Sequence, residues 1–214
     1  MTSKIRSSGI VADGLTVAHR GRPVVSGVDL RVVPGRVTGL IGPSGSGKTS
    51  VLRALAGLQP IAAGAVVYDG EPRPAPGSLG MLAQHPRQVC DPRWTLGRIV
   101  VEPAAIRGER TDPAEWAQRA GLDPELLDRR PGQVSDGQLQ RACLARILVQ
   151  DPAYLLCDEP VAMLDPITAR AVIAVLADLV DRGAGALLVS HDHRLVHAVS
   201  GDVVTLPRSV DGAT

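Results

Sequence analysis

A chain of 214 residues with a formal charge of +1 is long enough to bury a core, and it has no excess of Lys and Arg for a nucleic-acid groove. Two Trp, two Tyr and no Phe exclude a base-stacking platform for single strands and require a core of Val, Leu, Ile and Ala. No uninterrupted apolar run approaches the ~20 residues that span a bilayer, and Met1–Ile10 has basic residues without the apolar stretch of a secretory leader.

Three segments before residue 42 carry apolar positions at short spacing and predict strands: Ile10–Ala18, Val24–Val33 and Val37–Ile41. Gly42, Pro43, Ser44, Gly45, Ser46, Gly47, Lys48 and Thr49 follow and match G-x-x-x-x-G-K-[ST]. A helix is predicted from Ser50 to Ala56, stopped by Gly57. Set between strand and helix, the loop reads as a nucleotide site rather than a glycine-rich turn. Its glycines let backbone N–H groups turn toward phosphate oxygens, and the helix N-terminus adds partial positive charge. Lys48 is expected to reach the β- and γ-phosphates, and the Thr49 hydroxyl to take a Mg²⁺ position.

Ala65–Tyr68 and Ser78–Ala83 predict short strands, separated by a loop carrying Pro72, Pro74 and Pro76. From about Pro86 to Gly132 the chain turns charged and Pro-punctuated with helical spacing, as in Pro113–Ala120, and predicts a mostly helical insertion. Helix resumes after Ser135 and runs toward Val149. Tyr154–Cys157 is a predicted strand. Pro166–Arg182 is a helix with Val172, Val175, Leu176 and Leu179 on one face. Ala186–Ser190, a short helix from Asp192 and a strand near Val203–Leu206 complete the pattern. Such alternation after a phosphate loop predicts an α/β fold, a largely parallel sheet with helices on both faces. Residues 1–214 read as one domain, with about 86–150 as a helical subdomain within it. Cys90, Cys143 and Cys157 are widely spaced and form no CxxC pair, so they read as reduced thiols of a cytosolic protein, two of them small core residues.

Leu155-Leu156-Cys157-Asp158-Glu159-Pro160 ends an apolar strand in two acids, at the sheet edge where ligands of such folds bind. Asp158 is expected to hold Mg²⁺ through water, and Glu159 to orient or deprotonate an attacking water. An acidic pair by itself is equally a solvated strand end.

Val134-Ser135-Asp136-Gly137-Gln138-Leu139-Gln140-Arg141 resembles the signature motif of ATP-binding cassette (ABC) proteins, which usually reads Leu-Ser-Gly-Gly-Gln. Gln84 resembles the family's Q-loop glutamine, Ala162-Met163-Leu164-Asp165 its D-loop, and Val189-Ser190-His191-Asp192 its switch-histidine segment. Taken singly, Gln84 is a surface polar residue, His191 a satisfied loop histidine, and Ser135–Gln138 an N-cap with its first turn. All of them stand in the family's order across nearly the whole chain, which therefore resembles the nucleotide-binding subunit of an ABC transporter. The fold so implied is a P-loop NTPase cassette with a mostly parallel core sheet, an N-terminal antiparallel β subdomain and an inserted helical subdomain.

The resemblance also implies a mechanism. In this family two cassettes pair head to tail around two ATP molecules, on the cytoplasmic side and peripheral to the inner face of the cell membrane. Gly42 to Thr49 are expected to hold the phosphates, with Thr49, Gln84 and Asp158 around Mg²⁺. Glu159 acts on water and His191 contacts the γ-phosphate. Ser135, Gly137 and Gln138 reach ATP on the partner cassette, Asp165 communicates across the dimer, and the Gln84 region passes motion to transmembrane permease subunits. Three positions depart from the family pattern. Asp136 replaces the first signature glycine, and its side chain is expected to point outward and cap the helix. His19 falls where the family places an adenine-stacking aromatic, and Val134 replaces Leu.

Asp91-Pro92-Arg93-Trp94-Thr95-Leu96-Gly97-Arg98-Ile99, with Glu102-Pro103, resembles the segment after the Q-loop in oligopeptide, dipeptide and nickel importers. Import of peptides, nickel or a similar small solute is the expectation. A soluble, non-transport ABC ATPase shares the ATP chemistry. A small-molecule P-loop kinase explains Gly42 to Thr49 but not Ser135–Gln138 or His191, and a non-hydrolysing regulatory cassette is at odds with Glu159.

Overall fold

The computed structural model describes residues 8–162 and 164–207, so Met1–Ser7 of the leader reading and Met163 of the D-loop reading lie outside the described residues. β1 (Ile10–His19) and β2 (Arg22–Val32) form a hairpin through Arg20 (φ 50°) and Gly21 (φ 79°). Positive φ at both turn residues matches the twist of the strands it joins. A register shift between Ala12 and Leu15 keeps Ile10, Ala12, Leu15 and Val17 all buried on one face. β3 (Val37–Ile41) then leads through the glycine-rich loop into α1 (Lys48–Leu55). β4 (Ala63–Tyr68) returns to pair antiparallel with β1, giving a three-stranded sheet of order β2-β1-β4.

The second sheet is parallel and five-stranded. It holds β3, β5 (Leu79–Leu82), β6 (Tyr154–Asp158), β7 (Gly185–Val189) and β8 (Asp202–Thr205) in the order β5-β6-β7-β3-β8. Every residue of β3, β6 and β7 is buried, as continuous apolar runs must be when both faces of a sheet are covered. Leu40, Leu156, Leu187 and Val189 pack with Val51, Leu52 and Leu55 of α1 and with the antiparallel sheet. Leu155, Cys157, Ala186 and Leu188 face the opposite way. They pack with α4 (Asp136–Gln150), α5 (Pro166–Asp181) and α6 (His193–Val199).

Gly39 sets how closely α6 approaches the central strand. A Cβ there would stand 2.3 Å from Val196 Cγ1, so only glycine admits the helix at this distance.

Between β5 and β6 the predicted helical insertion holds α2 (Leu96–Ile106), α3 (Pro113–Arg119) and α4. Sequence periodicity does not isolate α2, because Pro103 lies inside it, and an interior proline ordinarily costs a helix ~3 kcal/mol. Full burial of Leu96, Ile99, Val100 and Ala104 outweighs that cost. Other differences are one- or two-residue shifts of element ends. One has chemical meaning: β6 includes Asp158, so the first acid is fixed by the sheet itself. No helix among the described residues is long and apolar enough to cross a membrane.

Candidate functional site

The chain leaves β3 at Ile41 and turns back over the sheet edge into α1. Gly47 is the N-cap, with φ 90° and no side-chain cap, so the first N–H groups of α1 remain available to an anion. A Cβ at Gly47 would meet Val25 Cγ2 at 2.1 Å, so packing and backbone conformation both require glycine. Lys48 is 7% exposed and folds its ammonium inward, donating to the carbonyls of Gly42 (2.8 Å) and Pro43 (3.0 Å). Ser46 Oγ is buried without a hydrogen-bond partner among the described residues.

β6 brings Asp158 to the foot of this loop, with the Thr49 hydroxyl beside its carboxylate. Burial pushes the Asp158 carboxyl above its ordinary value. The Thr49 hydroxyl opposes that push, and the charge of Glu159 adds to it. Asp158 Oδ1 is buried with no partner among the described residues. An orphaned carboxylate oxygen beside a hydroxyl, next to a phosphate loop, fits a hard divalent cation. No group of three or more His, Cys, Asp or Glu among the described residues forms a cage, so phosphates and waters would complete such a shell, as Mg²⁺ prefers.

Glu159 follows with φ 47°, held there by its N–H on the Val189 carbonyl at 2.9 Å. A non-glycine residue in this region is strained, and such strain concentrates at functional positions. Its Oε2 is bonded to Nδ1 of His191, which follows β7. Gln84, two residues beyond β5, completes the group. Ser44, Gly45, Gly47, Lys48, Thr49, Gln84, Glu159 and His191 all line one cleft of about 710 Å³, within the ordinary size of a ligand site. Val24 and Ser50, which the sequence reading did not single out, line it as well. Asp158 lies buried behind Thr49.

Other predicted residues are not brought there. His19 is exposed at the end of β1 and does not line the cleft, and the wall on the hairpin side is Val24. Ser135 and Gln138 form a reciprocal cap at the start of α4. The Ser135 hydroxyl accepts from Gln138 N (3.2 Å), and Gln138 Oε1 accepts from Ser135 N (2.9 Å). Gly137 is open to solvent space, with only Ser135 Oγ, at 4.0 Å, near the position of an added Cβ. Asp165 accepts from Thr168 N (3.0 Å) and Thr168 Oγ1 (2.5 Å), and the same hydroxyl receives Arg141 Nη2 (2.5 Å). Asp136 was expected to cap α4. The cap is Ser135 instead, and the outward-pointing Asp136 is bonded to Arg87, a partner 49 residues away that no local pattern announces.

A family profile described as ABC transporter matches residues 25–162. The chain belongs to the ABC transporter family. It is an ABC ATPase cassette, the unit that binds and hydrolyses ATP. The cassette is 36% identical over 210 residues to the methionine import ATP-binding protein MetN of Caulobacter vibrioides, covering 89% of this chain and 61% of that one. It is 34% identical over 199 residues to the nickel import ATP-binding protein NikE of Escherichia coli K12, covering 86% and 74%. In architecture the cassette matches the solved ATP-binding subunit of an ABC transporter with a TM-score of 0.80 at 23% identity, covering 93% of this chain and 86% of the other. A dimeric bacterial ABC transporter cassette matches with a TM-score of 0.79 at 23% identity, covering 93% and 94%.

Proposed function

We propose that the whole chain acts as one nucleotide-binding domain that powers import of a small solute, with residues 86–150 as its signature subdomain. Convergence of Lys48, Thr49, Gln84, Glu159 and His191 on one cleft, with Asp158 behind them, carries this reading. The phosphate loop holds the polyphosphate, Lys48 leaving the Gly42 and Pro43 carbonyls for the β- and γ-phosphates. Thr49, Asp158 and Gln84 would hold Mg²⁺, which would supply charge neutralisation at the transferring phosphoryl group. Glu159 positions the attacking water and accepts its proton, and His191 steadies the γ-phosphate and Glu159 together. Ser135, Gly137, Gln138 and Asp165, which lie outside the cleft of their own chain, serve the nucleotide of a second cassette. Permease subunits do the spanning, and the cassette sits against them on the cytoplasmic face. Relatives named for methionine, nickel and peptide import support small-solute import as the class.

The test is the ATPase rate per molecule against chain concentration, with Glu159→Gln alongside. The expected result is a rate that rises with concentration and falls at least ~100-fold in the variant, equivalent to ~2.7 kcal/mol of barrier. A rate independent of concentration and untouched by Glu159→Gln would sink the assignment. Co-purification with membrane subunits then separates transport from soluble ABC work.

A further inference from the structure

Arg87 stands three residues past Gln84, in the 3-10 turn Pro86–Gln88. Among the described residues its guanidinium makes three hydrogen bonds, all to the short stretch that enters α4. Nε meets Asp136 Oδ1 at 2.6 Å, Nη1 the Pro131 carbonyl at 2.6 Å, and Nη2 the Val134 carbonyl at 2.8 Å. Side-chain exposures of 45% and 69% leave the ion pair itself weak. The two carbonyl bonds supply what Coulomb attraction lacks. They fix the planar fork in one orientation, which a lysine ammonium cannot reproduce. Arg87 and Asp136 also wall a cavity of about 230 Å³ shared with Gln84, Gln140 and Leu164. One side chain thus joins the Gln84 segment to the signature turn across the seam between the parallel sheet and the helical part.

The electrostatic consequence follows from where Asp136 sits. A carboxylate at the first position of α4 stabilises the helix by answering its partial positive charge. That same charge is what an N-terminus offers a phosphate. An unpaired Asp136 would therefore reduce the pull of the signature turn on a nucleotide. Arg87 offsets the carboxylate's charge and leaves the partial positive charge of the turn to a phosphate.

We propose that Arg87 is a positioning residue for the signature turn: it neutralises Asp136 and fixes residues 131–136 to the segment that follows Gln84. This rests on the proposed role of Ser135–Gln138 toward a second cassette's ATP. Two readouts separate its failure from the failure of that reading. The first is hydrogen exchange at the amides of residues 134–138 in Arg87→Ala and Arg87→Lys, on the chain alone. Both variants should exchange faster than the parent, since neither restores the three-way fork, and unchanged exchange overturns the proposal. The second is the ATP concentration for half-maximal self-association in the Glu159→Gln background. Arg87→Ala should raise it about two- to fivefold, the range an exposed helix-end charge commands. Adding Asp136→Gly should restore most of the loss, a rescue that a purely structural role of Arg87 would not give. Equal impairment with and without Asp136 overturns the charge argument. A Glu159→Gln parent that binds ATP and never self-associates sinks the signature reading instead, while the exchange result still decides whether Arg87 fixes the turn.

Discussion

The Cys90 thiol sits 3.5 Å from the Cys143 thiol, although 53 residues separate them. Cys90 lies just after the Gln84 segment and Cys143 at the middle of α4, both buried. The hydrogen bond from Cys143 favours the Cys90 thiolate, and the same bond, with burial, pushes the Cys143 thiol up. Burial pushes Cys157 up to about 12.

Peroxide should therefore find Cys90 first. Its thiolate takes one oxygen from hydrogen peroxide and releases hydroxide, and the sulfenic acid then condenses with the Cys143 thiol, losing water. The expected product is a Cys90–Cys143 disulfide, two hydrogens lighter than the reduced chain. Formation should quicken as pH rises, because the thiolate is the reacting form. Peptide mapping without reductant checks it, and equal modification of Cys157 would count against the pairing.

Asp158 should show a conflict between stability and chemistry. Its carboxyl is raised in the folded state, so the stability tied to its protonated form is present below the unfolded pKa and lost as pH rises through the folded one. Near neutral pH an orphaned carboxylate oxygen remains buried, a cost of about 1–3 kcal/mol. Asp158→Asn is expected to melt higher than the parent in chelator, by about 2–4 °C for each kcal/mol recovered. Melting curves taken from pH 4 to 8 should show the gap widening with pH. The variant should hydrolyse no ATP.

Gly39→Ala tests the approach of α6. With Val196 Cγ1 2.3 Å from the new methyl, α6 must withdraw, at about 1–3 kcal/mol. Val196→Ala in the same chain should recover part of the loss, as denaturant melts would show. Purely additive losses would mean that the clash is not with Val196.

Tyr154→Phe tests a tie between the two sheets. Tyr154 opens β6 and donates to Oδ1 of Asp69, just beyond β4, at 2.5 Å, and the same oxygen receives Gly9 N at 2.8 Å. Phe keeps the ring and removes the donor, so unfolding should cost about 1–2 kcal/mol less. Because Gly9 N still serves Asp69, a loss above about 4 kcal/mol would require another cause.

Local chemistry was legible in the sequence. The strand–loop–helix around Gly42–Thr49 is written in neighbouring residues, and backbone rules translate it directly, whereas the sequence placed the cap of α4 on Asp136, one residue past Ser135. Helix α2 was not isolated, since Pro103 contradicts it locally and only the burial of Leu96, Ile99 and Val100 overrules it. Arg87 with Asp136, and Cys90 with Cys143, were invisible for another reason. Each pair is made by the packing of α4 against the Gln84 segment, and spacing along the chain carries no trace of it. His19 failed to reach the cleft because the hairpin turn carries it to an exposed strand end, leaving Val24 on the wall.

The reciprocal cap of Ser135 and Gln138 has a thermodynamic consequence under the proposed reading. The amide a phosphate would seek, Gln138 N, is already occupied by the Ser135 hydroxyl. An arriving γ-phosphate therefore trades places with that hydroxyl, and the helix keeps a cap throughout. Engagement becomes an exchange of a neutral acceptor for a charged one, so the net gain is the difference between two bonds rather than the whole of the stronger. A contact of that kind forms and releases easily, which suits a joint that must open after every turnover.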